Sequence, residues 1–355
     1  MVSNYLNKIF YLVVLFFIVL VINILTTSNS NAACAKLASG AIIVDPGDST
    51  PFADTSTSST FDQDACQEVP DEYKLTFYKV ALCAEAEDPY TNATSPDYSG
   101  CVNILNEEKT VTIKPNEDTD LLSGGLEIPL GSYSIIAVIV DNHIQVKTKQ
   151  QYALANGNDA TIIGSSGGSG GTWCWSKSAV TLYSNDGDLD TDTDYEAAQA
   201  GVDVIESGTD TLARLDCGAE PSDSDVEFAT EIIDNLNDPT HHPVSGAYQF
   251  SASLDYEANN DLTGLSGSLM GANLIQSDNA TIAANEDQAR RIAGFFKYPN
   301  HPVEITEDTT SFKLQLSTSG SVSIDMAVDG MSGNIFGAKM GADPFTIKVV
   351  TSEVR

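Results

Sequence analysis

Apolar side chains recur at every second position over several stretches of this chain, and that period constrains the fold more than any other feature. Tyr248, Phe250, Ala252, Leu254 and Tyr256 fall on one side of an extended backbone, and Gln249, Ser251, Ser253 and Asp255 on the other. Successive side chains of a strand point to opposite faces, so the segment reads as a strand with one dry face and one wet face. Phe312, Leu314 and Leu316 repeat the pattern. Val322, Ile324, Met326 and Val328 resume it beyond Ser319-Gly320, and the two runs read as a hairpin. Phe345, Ile347 and Val349 make a last strand. Residues 133–140 differ, being apolar at nearly every position, which predicts a strand covered on both faces. Asp141-Asn142-His143 is expected to turn that strand into Ile144, Val146 and Thr148.

Helical spacing is confined to two segments. Val226, Ala229, Ile232, Ile233 and Leu236 share one helical face, with Ser222 or Asp223 as the cap and Asp238-Pro239 as the stop; residues 283–292 form the second. The expected class is all-β with short helical insertions. A length of 355 residues, 42% of them hydrophobic, suits two cores. Gly164-Ser165-Ser166-Gly167-Gly168-Ser169-Gly170-Gly171 has linker chemistry. It separates two expected β-sandwich domains of immunoglobulin or prealbumin type, residues 71–163 and 221–355, although it also suits a long loop within one domain. Between them, residues 164–220 form the linker and an acidic excursion, and residues 33–70 form a polar arm rich in Ser, Thr and Asp.

Residues 1–32 have the pattern of a secretory signal peptide: Lys8, an apolar run over 9–25, and a small-residue stretch ending Ser30-Asn31-Ala32. Cleavage is expected after Ala32. The alternatives are an uncleaved anchor, since the run is near the lower limit of about 17 residues for a membrane span, and lipidation at Cys34. The mature chain is therefore expected outside the cytoplasm. With 17 basic and 50 acidic residues the formal net charge is -33. Such a surface repels nucleic acid and anionic lipid, so neither is an expected partner, and no membrane contact is expected once the leader is gone. Divalent cations suit it better.

Six cysteines in an exported chain read as disulfides. Cys83 and Cys101 flank a polar loop and would staple the strands it joins. Cys174 and Cys217 bracket the acidic residues 185–210, which leaves Cys34 for Cys66. This is the most local of the possible pairings.

Tyr73-Lys74-Leu75-Thr76-Phe77-Tyr78-Lys79-Val80-Ala81-Leu82-Cys83, Gly100-Cys101-Val102-Asn103-Ile104, Asp120-Leu121-Leu122 and Leu130-Gly131-Ser132-Tyr133 follow one another in an order that resembles a family of exported bacterial domains of unknown function. That family has a prealbumin-like, or carboxypeptidase-regulatory-like, β-sandwich. Cys101 stands where the family tends to have Trp, and Ser132 where Thr is common. The resemblance covers about residues 71–163 and implies a fold and an envelope setting, not an activity.

Candidate chemistry is sparse. Asp186, Asp188, Asp190, Asp192 and Asp194 alternate through a loop as calcium ligands do, but Thr191 or Thr193 occupies the place where an EF-hand needs Gly. A calcium site and a solvated acidic loop both fit. Trp173 and Trp175 flank Cys174 and share a strand face, either exposed to stack on a sugar ring or packed over the disulfide. Gly164-Ser165-Ser166-Gly167-Gly168 matches a nucleophile elbow in letters but lacks its strand-turn-helix setting. His241-His242, His143 and His301 read as exposed loop residues, and Arg290-Arg291 as a partner for internal acids.

The expected function is that of a non-enzymatic, secreted or cell-surface structural or adhesive protein, built of disulfide-stapled sandwiches. It would act on itself, with residues 33–70 or 345–350 completing a neighbour's sheet, or on surface glycans. A glycan- or calcium-binding module using Trp173, Trp175 and the Asp186 to Asp194 loop is the alternative. A secreted hydrolase would need a pocket gathering His241 or His242 with carboxylates.

Overall fold

Alternation becomes strand in every alternating segment that the structure describes. The computed structural model describes residues 33–44, 66–89, 95–115, 121, 128–154, 156–163, 170–178, 180–182, 215–233, 269–283, 288–328, 335–342 and 345–353. The first strands are β1 (Ile42–Val44), β2 (Cys66–Glu68), β3 (Glu72–Cys83), β4 (Val102–Leu105), β5 (Lys109–Ile113), β6 (Gly131–Tyr133) and β7 (Ile135–Asp141). Next come β8 (His143–Lys147), β9 (Lys149–Leu154), β10 (Thr161–Ile163), β11 (Trp173–Ser176), β12 (Val180–Leu182), β13 (Leu215–Gly218) and β14 (Ala229–Ile232). The last are β15 (Leu269–Ile275), β16 (Arg291–Lys297), β17 (Val303–Ile305), β18 (Thr309–Ser317), β19 (Val322–Val328), β20 (Ile335–Ala342) and β21 (Thr346–Glu353).

β7 and β8 lie along the same edge of β3. Cys83 faces Ile135 and Phe77 faces Val140, and the ladder resumes with Lys74 facing Gln145 and Glu72 facing Lys147. The turn expected at Asp141-Asn142-His143 is therefore a bulge in one continuing strand. Its cause is local: Asp141 Oδ1 accepts the backbone N–H of His143 at 2.9 Å, which folds the backbone outward without reversing it. β4 and β5 line the other edge of β3.

At Asn142 the far edge of the β7–β8 strand forks. β16 pairs with β7, while β14 pairs with β8. Asn142 fills the fork and has 0% exposure. Its backbone N–H reaches the Arg290 carbonyl at 3.4 Å, and its carbonyl accepts the Ile233 N–H at 2.9 Å. Its side-chain amide donates to the carbonyls of Ile233 and Ala289 at 3.3 and 3.4 Å. Buried backbone groups must be paired, and here a side chain does what a neighbouring strand cannot.

The same run changes sheet at Thr148. β9 joins β1, β11 and β13 in the order β1-β9-β11-β13. The corner is held by Ser176, which exchanges hydrogen bonds with Thr148: Thr148 N–H donates to Ser176 Oγ and Ser176 N–H to the Thr148 carbonyl, both at 3.0 Å. A third sheet runs β10-β20-β19-β2, and β17–β6 and β18–β21 form ribbons.

Several expectations are corrected here. β18 and β19 do not form a hairpin: β18 pairs with β21, and β19 with β20 and β2. The Thr318–Ser321 turn exists, with Gly320 at φ 73, but it carries the chain between sheets. The helix expected over residues 226–236 is overturned by β14, whose four residues are all buried between β8 and β12; a strand wet on neither face mimics helical spacing. The helix expected over 283–292 fails at both ends, where Ala283 N–H bonds the Leu274 carbonyl and Ile292 lies in β16. Within the expected polar arm, β1 and β2 lie in sheets, and Ile42, Val44 and Cys66 are buried. β14 and β16, which follow the Gly/Ser stretch in the chain, extend the sheet of β3, β7 and β8. A strand as apolar as β7 needs neighbours on both edges, and residues 291–297 supply the second.

The expected both-sided burial of 133–140 holds, for Ile135, Ile136, Ala137, Val138, Ile139 and Val140 are all buried. The three expected cystines are present as Cys34–Cys66, Cys83–Cys101 and Cys174–Cys217. The class is all-β.

Candidate binding face

The two tryptophans stand on β11, in the middle of the sheet β1-β9-β11-β13. The register puts Cys174 opposite Cys217, and both are buried. Period two then sends Trp173 and Trp175 to the opposite face, away from the cystine, where both are partly exposed. The indoles and the cystine therefore lie on opposite faces of β11. Trp173 lies between Gln151 and Gly218, and Trp175 between Lys149 and Asp216. Ile43 of β1 faces Ala153 at the rim.

Gly218 matters by having no side chain. A Cβ there would sit 3.3 Å from Cη2 of Trp175, so the indole lies across the backbone of β13. Ion pairs border the aromatic strip: Lys177 Nζ is 3.3 Å from Asp216 Oδ2, and Lys149 Nζ is 2.9 Å from Asp223 Oδ1. The hydrogen bond to Asp223 holds the Lys149 ammonium above its ordinary range and the Asp223 carboxyl below its own. The face thus carries two partly exposed indoles, with amide, carboxylate and ammonium groups at its border.

A second polar group gathers at the bulge. Asp141 accepts from the Tyr78 hydroxyl at 2.9 Å and from His143 Nδ1 at 2.7 Å. Burial alone would raise the Asp141 carboxyl, but the side-chain and backbone bonds from His143, and then Tyr78, outweigh it and leave the carboxyl below its ordinary range. Burial and the neighbouring Asp141 push Tyr78 up to about 12, so it remains a donor at neutral pH. The Arg291 guanidinium stacks on the Tyr78 ring at 3.5 Å and bonds Asn279 Oδ1. His143 is therefore not the free loop residue expected, and Arg291 meets a ring and an amide where acids were expected. Asp141 orients the imidazole as a general base would need. The Tyr78 hydroxyl, however, is bound to the same carboxylate rather than offered to that imidazole.

His301 is exposed, as expected. Asp186, Asp188, Asp190, Asp192, Asp194, His241, His242, residues 164–169 and residues 248–256, where a strand was expected, lie outside the described residues. Among the described residues, no group of three or more His, Cys, Asp or Glu is placed to hold a metal ion. Sequence reasoning found the tryptophan pair but missed Gln151, Asp216 and Gly218, which join it only through strand register.

No family model, curated protein or solved structure matches the chain.

Proposed function

We propose that the protein is a non-enzymatic, extracytoplasmic structural and adhesive module, and that the outer face of β9, β11 and β13 is its adhesive surface. The observation that carries this reading is the double use of β11. Cys174 ties the strand inward to β13, while Trp173 and Trp175 stand outward on the strand so fixed. Rigid aromatic side chains offer much contact area for little entropy lost on binding. Three cystines support an oxidising compartment. The finer fold reading, a prealbumin-like sandwich over 71–163, rests on β3 flanked by β4–β5 and β7–β8. Polymerisation by strand exchange is less favoured, because β1, β2 and the buried Phe345 and Ile347 beside β18 already serve this chain's own core.

The test is binding of the oxidised protein from residue 33 to intact cell surfaces, alongside light scattering and electron microscopy with and without millimolar calcium. The reading expects a monomer that adheres and loses adhesion in a Trp173→Ala/Trp175→Ala double variant. Filaments, or adhesion indifferent to the double variant, would count against it.

A further inference from the structure

We propose that the partner of this face is a neutral, extended glycan chain whose pyranose rings stack on Trp173 and Trp175. The inference rests on the adhesive reading above and names its ligand class. Two residues apart on a strand, the indoles are spaced by about 6.6 Å, so they form a strip along β11 that can meet successive rings of an extended chain. An indole face carries negative charge density and attracts the polarised C–H face of a sugar whose hydroxyls are equatorial. Such a sugar turns its hydroxyls sideways, toward Gln151 beside Trp173, whose amide supplies both a donor and an acceptor. Gly218 gives the Trp175 indole room to lie across β13.

Charge selects against the alternative ligand. The protein carries -33 overall, and the two ammonium groups bordering the strip are already engaged, Lys149 by Asp223 and Lys177 by Asp216. A uronate or sulfated chain would meet a repulsive field and, among the described residues bordering the strip, two ammonium groups that already hold carboxylates. β-Linked glucose or N-acetylglucosamine chains, with equatorial hydroxyls and no charge, fit both conditions.

The experiment uses a convenient fact: the chain has 2 tryptophans, and both are in this strip, so indole emission reports on this site alone. The oxidised protein is titrated with hexaoses of β-1,4-glucose and β-1,4-N-acetylglucosamine, with the matching disaccharides, and with hexagalacturonate. The expected result is a saturable emission change with a neutral hexaose, at least tenfold weaker binding of its disaccharide, and no change with hexagalacturonate. Gly218→Val keeps both reporters but covers the strip and should abolish the response. Gln151→Ala should weaken it several-fold and serves if the valine variant does not fold. A response to hexagalacturonate alone overturns the proposal, as does an emission change that tracks dimer formation. Adhesion that persists with no response to any neutral hexaose overturns the glycan inference and leaves the adhesive reading standing. Loss of both removes both.

Discussion

On its inner face β7 presents Ile136, Val138 and Val140 to the large core, and strands of other sheets close over them; on its outer face Ile135, Ala137 and Ile139 lie beneath a connection. The inner closure includes Phe345, whose ring stands 6.2 Å from Tyr73, 5.7 Å from Phe77 and 6.1 Å from Phe296. The outer closure is the segment between β3 and β4, which brings Tyr98 and Cys101 over Cys83, Phe295 and Ala293. It is fastened by Cys83–Cys101 and rimmed by the Lys297–Asp88 pair at 2.5 Å. Where strands supply the lid, ladders and the Phe345 ring close it, with the cystines Cys34–Cys66 and Cys174–Cys217 inside the same core. Where a loop supplies it, a covalent bond replaces the missing ladder of hydrogen bonds.

This contrast can be broken from either side. Phe345→Ala should have the largest effect, a loss of about 3–5 kcal/mol in denaturant unfolding of the oxidised protein, the usual cost of deleting a core phenylalanine; a loss below about 1 kcal/mol would mean that residues 345–353 do not close the inner face. Cys83→Ser/Cys101→Ser should cost about 2–4 kcal/mol. Hydrogen exchange should then rise first in residues 95–105, and equal exposure of β18 and β21 would show that the two closures are not independent. Asn142→Ala, at the fork where both partner strands diverge, should cost about 1–3 kcal/mol by removing the amide that serves the carbonyls of Ile233 and Ala289, the second of which keeps only the Arg290 guanidinium.

Titration sharpens the comparison at lower cost. Asp141 has a folded pKa below its ordinary 3.8, so the unfolded chain takes up the proton first, and the stability it contributes is present above 3.8 and lost as pH falls through the folded value. Glu68 runs the other way. Burial raises it above 4.5 despite Lys36, so its contribution is present below 4.5 and lost as pH rises through the folded value. Stability measured from about pH 3 to 6 should fall less steeply on the acid side in Asp141→Asn, and rise relative to the parent toward pH 6 in Glu68→Gln. Parallel curves for all three proteins would contradict both assignments. The smallest effect is expected on the outer sheet face, where Trp173→Ala or Trp175→Ala should change unfolding free energy by about 1 kcal/mol or less.

Much of the local structure was legible because period two fixes which face a residue takes. β18, β19 and β21 lie where alternation placed them, and the pairing of the cysteines followed their nearness along the chain. Alternation does not name a neighbour, however. Nothing in Phe312, Leu314 and Leu316 distinguishes a ladder with β19 from the observed ladder with β21. In β14, burial on both faces removed the alternation itself, so Ala229 and Ile232 read as helix. Asn142 looked like a turn residue because its partners, Ile233 and Ala289, are distant in sequence. At the binding face the tryptophan pair was visible for its spacing, while Gln151, Asp216 and Gly218 came from separate strands and carried no local signal.

The fork at Asn142 also sets a timetable. β7 can meet β3 early, but its other edge waits for residues 291–297, and β8 waits for residues 229–232. From residue 141 until residue 297 is made, the chain therefore holds an apolar strand with one open edge, the condition under which strands mispair with their neighbours. Sequence-distant pairing of this kind also slows folding, toward milliseconds to seconds for small β proteins. The sheet built around β3 is thus completed only by residues 291–297, the last of its strands to be made.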